Sequence, residues 1–184
     1  MWLNLAIRAP SAGHTQGREF LVLDDITSRE LFWSTTAGDR EPDRWLTGMR
    51  TAPVLVLVLA DKRAYLERYA EADKGWTDRD EARWPVPYWD VDAGMAALIL
   101  LLAATDDGLG SCFFGVPAER IDAVHDAFGI PARLRIVGVV SLGHPAADRR
   151  SPSLRRGRRP LESAVHYGGY DVAGRDGGQD SARD

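Results

Sequence analysis

Side chains able to do chemistry gather in three places along the chain. The first is residues 10–16, where Pro10 is followed by Ser11, Ala12, Gly13, His14, Thr15 and Gln16. Proline halts a helix, and the next residues bring hydroxyl, imidazole and carboxamide groups onto one loop. Such a set can hydrogen-bond the edge of a flat heterocycle that offers carbonyls and ring nitrogens; it also reads as an ordinary helix end and turn. The second is Gly108-Leu109-Gly110-Ser111-Cys112-Phe113-Phe114-Gly115, which follows an all-apolar run over residues 93–104. Its glycines let bare backbone approach whatever lies at the helix end, or they simply stop the helix. The third is residues 149–159, with six arginines and no acid. Guanidinium forks suit a phosphate, although a solvated basic linker or a diffuse polyanion contact has the same composition.

Elsewhere the signals are structural. Cys112 sits among apolar neighbours and reads as a packed small hydrophobe. His125 falls beside an inward stripe of Ile121, Val124 and Phe128, and His144 and His166 lie in loops without an evident partner. Asp90 and Asp92 read as charges favoured at a helix start. Tyr88 and Trp89 can stack on a ligand or pack. No spacing suggests a metal site, no Ser-His-Asp order can be assembled, and no catalytic side chain is assigned.

The elements that must position these groups are read from apolar periodicity. A short helix over residues 2–9 is expected to stop at Pro10. Strands are expected over 20–23, 53–59 (apolar throughout, hence buried on both faces), 111–114 and 135–142. Helices are expected after Thr27 or Ser28, over 62–72, over 91–106, and from Pro117 to Gly129. Residues 38–48 read as a loop, and 73–89 as an irregular stretch carrying Trp76 and Trp84. Helices and strands interleave without a parallel strand–helix rhythm. The fold class is therefore α+β, a central sheet of about four strands packed by helices. A helix apolar on every side is buried on every side, and the helix at 91–106 is too greasy for one small sheet. An obligate homodimer with this helix in the interface is the expected cover.

The 184 residues are 45% hydrophobic with a net charge of −4, which fits one globular domain and gives no general case for nucleic-acid binding. One cysteine excludes a disulfide framework and agrees with a cytoplasmic location. The start lacks the pattern of a signal peptide, and the 93–104 run is shorter than the about 20 residues a bilayer needs, so no membrane role is expected.

Taken together, residues 8–16, 108–115 and 156–161 resemble the FMN-dependent nitroreductase family. The family pattern Ala-Pro-Ser, small residue, Asn, any residue, Gln is matched with one extra residue and with His14 nearest the Asn position. Gly17-Arg18 stands where the family has Pro-Trp. Arg156-Gly157-Arg158-Arg159-Pro160-Leu161 is similar to the family's basic-x-basic pair before Pro-Leu. The resemblance implies bound FMN, NAD(P)H as electron donor, and a nitro, quinone or other conjugated small-molecule acceptor. It also implies flavins at a homodimer interface. One chain would supply Gly108, Leu109, Gly110, Ser111, Arg156 and Arg158; the other would supply Pro10, Ser11, Ala12, His14 and Gln16. A nitroreductase-like domain is expected over 1–167, with a tail over 168–184 that is disordered from about 174. Family members carry a further Arg-rich helix before the Ala-Pro-Ser loop, so Met1 is expected to be internal to a longer protein. The alternative is a flavin-poor or flavin-free dimeric relative that binds a ligand or partner; a deazaflavin-linked role rests on fold analogy alone.

Overall fold

The computed structural model describes residues 2–37, 42–147 and 151–170. Two compact units are present, 1–146 and 147–184. Arg149 and the tail from Gly174 lie outside the described residues.

The first unit is built on a four-stranded sheet in the order β1-β2-β4-β3, from β1 (Arg18–Leu23), β2 (Val54–Asp61), β3 (Gly110–Phe114) and β4 (Leu134–Gly143), with every neighbouring pair antiparallel. Alternate residues of a strand point to opposite faces, and β2 buries both of its sets. Val56, Val58 and Ala60 join Val140 and Leu142 of β4 beneath Ala93, Ala97, Leu100 and Ala104. Leu55, Leu57, Leu59 and Val139 form the other core with Phe32, Trp33 and Val124. This central position explains the unbroken apolar run without a parallel sheet.

The first face is covered by α5 (Tyr88–Asp106) and α1 (Trp2–Ala6), the second by α2 (Ile26–Ala37) and α6 (Ile121–Phe128). Alanines on the inner side of α5 let its backbone come close to the sheet. α1 runs back along α5: the Trp2 indole N–H donates to Asp107 just beyond the last turn of α5, while Ala12 meets Asp92 in its second.

Four readings of the sequence are corrected. Residues expected to form a loop contain α3 (Arg44–Met49), capped by Asp43 through Leu46 N–H at 2.7 Å; Leu46 and Met49 pack on the second core. The start of α2 is held by Asp25, whose carboxylate accepts from Ser28 N at 2.9 Å, because a cap must precede the first turn it satisfies. α4 (Lys62–Tyr69) stops short of residue 72. α5 reaches 19 residues and by length and composition could cross a membrane, unlike the shorter apolar run read from sequence. Here its alanine side lies in the core, whereas Val91, Leu98 and Leu102 are 39, 53 and 60% exposed. Within one chain the helix is therefore not buried on every side.

Candidate functional site

The loop between α1 and β1 has an unusual backbone. Ser11 is extended, a 3-10 turn covers Ala12–His14, and Gly13, His14 and Gln16 have φ of 61°, 54° and 56°. Left-handed conformations cost L-residues about 1–2 kcal/mol each, so two non-glycine residues in that region require support from their surroundings. Local bonds supply some of it. Ser11 Oγ accepts from Gln16 N at 3.0 Å, Thr15 Oγ1 donates to Ala12 O at 2.6 Å, and the Gln16 carboxamide lies 3.1 Å from His14 Nε2.

The rest comes from distant elements. Asp92, 1% exposed in the second turn of α5, accepts at one oxygen from Ala12 N–H at 2.8 Å and from the Tyr65 hydroxyl at 2.7 Å. Burial and then the bond to Asp92 raise the Tyr65 pKa far above its ordinary value, so the phenol stays a donor. Arg68 Nε donates to Gly13 O at 3.0 Å. Arg18, 8% exposed, sends Nη2 to Ala9 O at 2.7 Å and also to Ile7 O; its Nε and Nη1 are buried without a partner among the described residues. Close packing fixes the glycines. A Cβ on Gly13 would lie 2.7 Å from the Tyr69 ring, and one on Gly17 would lie 2.7 Å from the Tyr65 ring. Behind these tyrosines stand Trp76 and Trp84, with ring centroids 4.9 and 4.5 Å from Tyr69, and Trp89, 6.3 Å from Tyr65. Trp89 is 3% exposed and packs; Tyr88 stays exposed.

Beside the loop opens a cavity of about 440 Å³ lined by Asn4, Arg8, Pro10, His14, Gln16 and Arg18, with no acidic side chain among its described lining residues. Another, of about 360 Å³, is lined by Arg29, Trp33 and Arg50. It belongs to the α2 side of the sheet, and none of the residues expected to meet a ligand lines it.

The other expected residues lie elsewhere. Gly108, Leu109, Gly110 and Ser111 are at the far end of α5, about 21 Å along the helix from Asp92 at 1.5 Å per residue. Within one chain the structure therefore separates them from residues 10–16. The tight approach at Gly110 is to protein: its Cβ would meet the Pro145 backbone at 3.3 Å, which accounts for the glycine without a ligand. Cys112 is half-buried and burial pushes its thiol pKa up, as suits a packed side chain. His125 Nδ1 lies 3.1 Å from Ile130 O, a structural contact. His166, expected to have no partner, packs against the Tyr170 ring, with centroids 4.2 Å apart and the planes tilted by 39°. Arg156 and Arg158 belong to the second unit, where both are exposed and flank Gly157 after a 3-10 turn over Pro152–Arg156.

Sequence reasoning missed Asp92 and Arg18. Asp92 is no solvated helix-start charge but a buried acceptor joining three elements. Its one sequence signal was an acid directly before a wholly apolar run. Arg18 gave none.

The geometry agrees with the comparisons to known proteins. The family model for the nitroreductase family matches residues 2–144. The chain belongs to the nitroreductase family. A protein of Archaeoglobus fulgidus, by name an NADH dehydrogenase/NAD(P)H nitroreductase, is 29% identical over 150 residues, covering 80% of this chain and 72% of that one. An FMN reductase (NADPH) of Bacillus subtilis is 29% identical over 82 residues, covering 45% of this chain and 31% of its own length. Among solved structures, a nitroreductase family protein from Streptococcus pneumoniae superposes with a TM-score of 0.66 at 18% identity, covering 89% of this chain and 85% of that chain. That likeness concerns the fold alone. As a nitroreductase-family member with these relatives, the protein is a flavin-type oxidoreductase in class.

Proposed function

We propose that this nitroreductase-family chain is an FMN-dependent oxidoreductase that passes hydride or electrons from NAD(P)H to a nitro, quinone or other conjugated acceptor, working as a homodimer. The observation that carries the reading is the loop at residues 10–16, a strained polar turn held from behind by buried groups at the family's Ala-Pro-Ser position. Its residues fit a flavin edge. His14 and Gln16 border the cavity, and Ser11 uses its oxygen as an acceptor toward Gln16 N while keeping its hydroxyl proton for a ligand. Arg8 and Arg18 make the wall cationic, which favours an electron-rich ligand. FMN, when bound, supplies the hydride and electron chemistry; the chain binds it, orients it and sets the field around it. Arg156 and Arg158 are the proposed phosphate ligands.

Two observations support the dimer. Leu5 of α1, Ile7 just after it, and Val91, Leu98 and Leu102 of α5 are exposed apolar side chains. The glycine segment and the polar loop lie at opposite ends of α5, so a site using both is best built between two chains.

A second reading, a flavin-poor relative that binds a ligand or partner, is favoured by one contact: His14 and Gln16 already satisfy each other at 3.1 Å. Visible absorbance of the purified chain separates the two. A yellow protein that oxidises NAD(P)H with a nitroaromatic or quinone supports the first. A colourless one that neither takes up added FMN nor turns over supports the second.

A further inference from the structure

The left-handed turn at Gly13, His14 and Gln16 is held by local bonds and by Arg68 at Gly13 O, and two further braces, at its entry and its exit, meet at one carboxylate. Asp92 is 1% exposed, and a single oxygen takes both the Ala12 amide and the Tyr65 hydroxyl. Ala12 opens the turn, and Tyr65 is the ring against which Gly17 closes it. Asp92 therefore holds the entry of the loop directly and its exit through Tyr65. It is absent from the cavity lining and its bonded oxygen is already doubly engaged, so it is not placed to exchange protons with a ligand. We infer that Asp92 is a positioning residue: by accepting from Ala12 and Tyr65 it fixes the turn that presents His14 and Gln16 at the cavity. This rests on the reading that the cavity receives the flavin edge.

Removing the acceptor should let the turn relax, so that ligand binding must first restore it. A loop competent only one to ten per cent of the time weakens apparent affinity by about ten- to hundredfold. The test uses the full chain with Asp92→Ala, Asp92→Asn, His14→Ala and the double variant Asp92→Ala/His14→Ala. Val124→Ala, a cavity in the other core, serves as a destabilised control. FMN dissociation constants are measured by fluorescence quenching, and loop geometry by amide and His14 ring resonances of the ligand-free protein.

Asp92→Ala is expected to move the resonances of residues 12–16 and weaken FMN by about ten- to hundredfold. Asp92→Asn, whose carbonyl oxygen can accept the same two bonds, should restore affinity to within about fivefold. Val124→Ala should leave affinity within about twofold of the parent despite its lower melting temperature. In the His14→Ala background the Asp92→Ala loss should be smaller than in the parent, because part of the positioning acts through His14. Additive losses, failure of Asp92→Asn to rescue, or an equal loss in Val124→Ala would overturn the inference. Should Asp92→Ala not fold, Tyr65→Phe removes one of the two bonds and enters the same cycle. A parent chain that binds no FMN refutes the functional reading instead; the ligand-free resonances of Asp92→Ala and Asp92→Asn then decide the positioning role alone, and unmoved loop signals would sink it.

Discussion

Placing an acid on the outer face of α5 tests the proposed dimer most directly. Leu98 and Leu102 are 53 and 60% exposed, one helical turn apart, and form a ridge. Fully burying a leucine is worth about 1.5–3 kcal/mol, so roughly half of that remains to be gained at each position. The two together offer about 1.7–3.4 kcal/mol per protomer and about 3.4–6.8 kcal/mol across a twofold axis, where each occurs twice. At about 1.4 kcal/mol per decade this corresponds to two to five decades in dissociation constant. Leu98→Asp/Leu102→Asp forfeits that gain and adds the cost of desolvating carboxylates. Sedimentation velocity from nanomolar to tens of micromolar protein should show a parent dimer and a folded monomeric double variant. Ile26→Asp, on α2 and 64% exposed, should leave the dimer intact. A monomeric parent at tens of micromolar, or a double variant that dimerises like the parent, would refute the assignment of this face.

Three further outcomes are expected. Arg158→Ala should weaken FMN binding about ten- to hundredfold, the scale of a lost charge-assisted hydrogen bond; Arg155→Ala, exposed in the preceding turn, should change it little, and equal losses at both would mean a diffuse basic patch. Gly17→Ala should destabilise the fold by about 1–3 kcal/mol, read by denaturant titration, since its Cβ would sit 2.7 Å from Tyr65 and 3.1 Å from Asp61 O. The Tyr65 pKa is raised in the folded chain, first by burial and then by its bond to Asp92. Above about pH 10 the unfolded phenol loses its proton while the folded one keeps it, so this stabilising contribution is present below that pH and falls as pH rises. The parent should therefore lose stability from pH 9 to 11 more steeply than Tyr65→Phe, and parallel melting curves would contradict the assignment.

How much was legible in the sequence follows from the range of the interactions. The α+β class, the four strands and the long apolar helix come from local patterns, because the apolar run of β2 and the greasy run of α5 are written in adjacent residues. The ending of α6 at Gly129 is likewise local. So are the motif residues that mark the family, although His14 and Gln16 did not disclose that they contact each other. What tertiary structure alone decided is which distant groups meet. Asp92 lies 80 residues from Ala12 and 27 from Tyr65, and nothing local separates a buried bridging acid from a solvated helix-start charge. Nothing near Arg18 in sequence shows that it is buried; the segment just after α1 folds over it and turns the Ile7 and Ala9 carbonyls toward its guanidinium. Gly110 is a bare glycine in sequence, and only the fold shows that Pro145 occupies the space its side chain would need. Even α5 was half determined: composition fixed its apolarity all round, but the packing of β2, β4 and α1 chose which side entered the core and left Leu98 and Leu102 facing out. Periodicity is set by the backbone geometry of neighbouring residues; burial and hydrogen-bond partnership are set by chain segments that meet only once the sheet has closed.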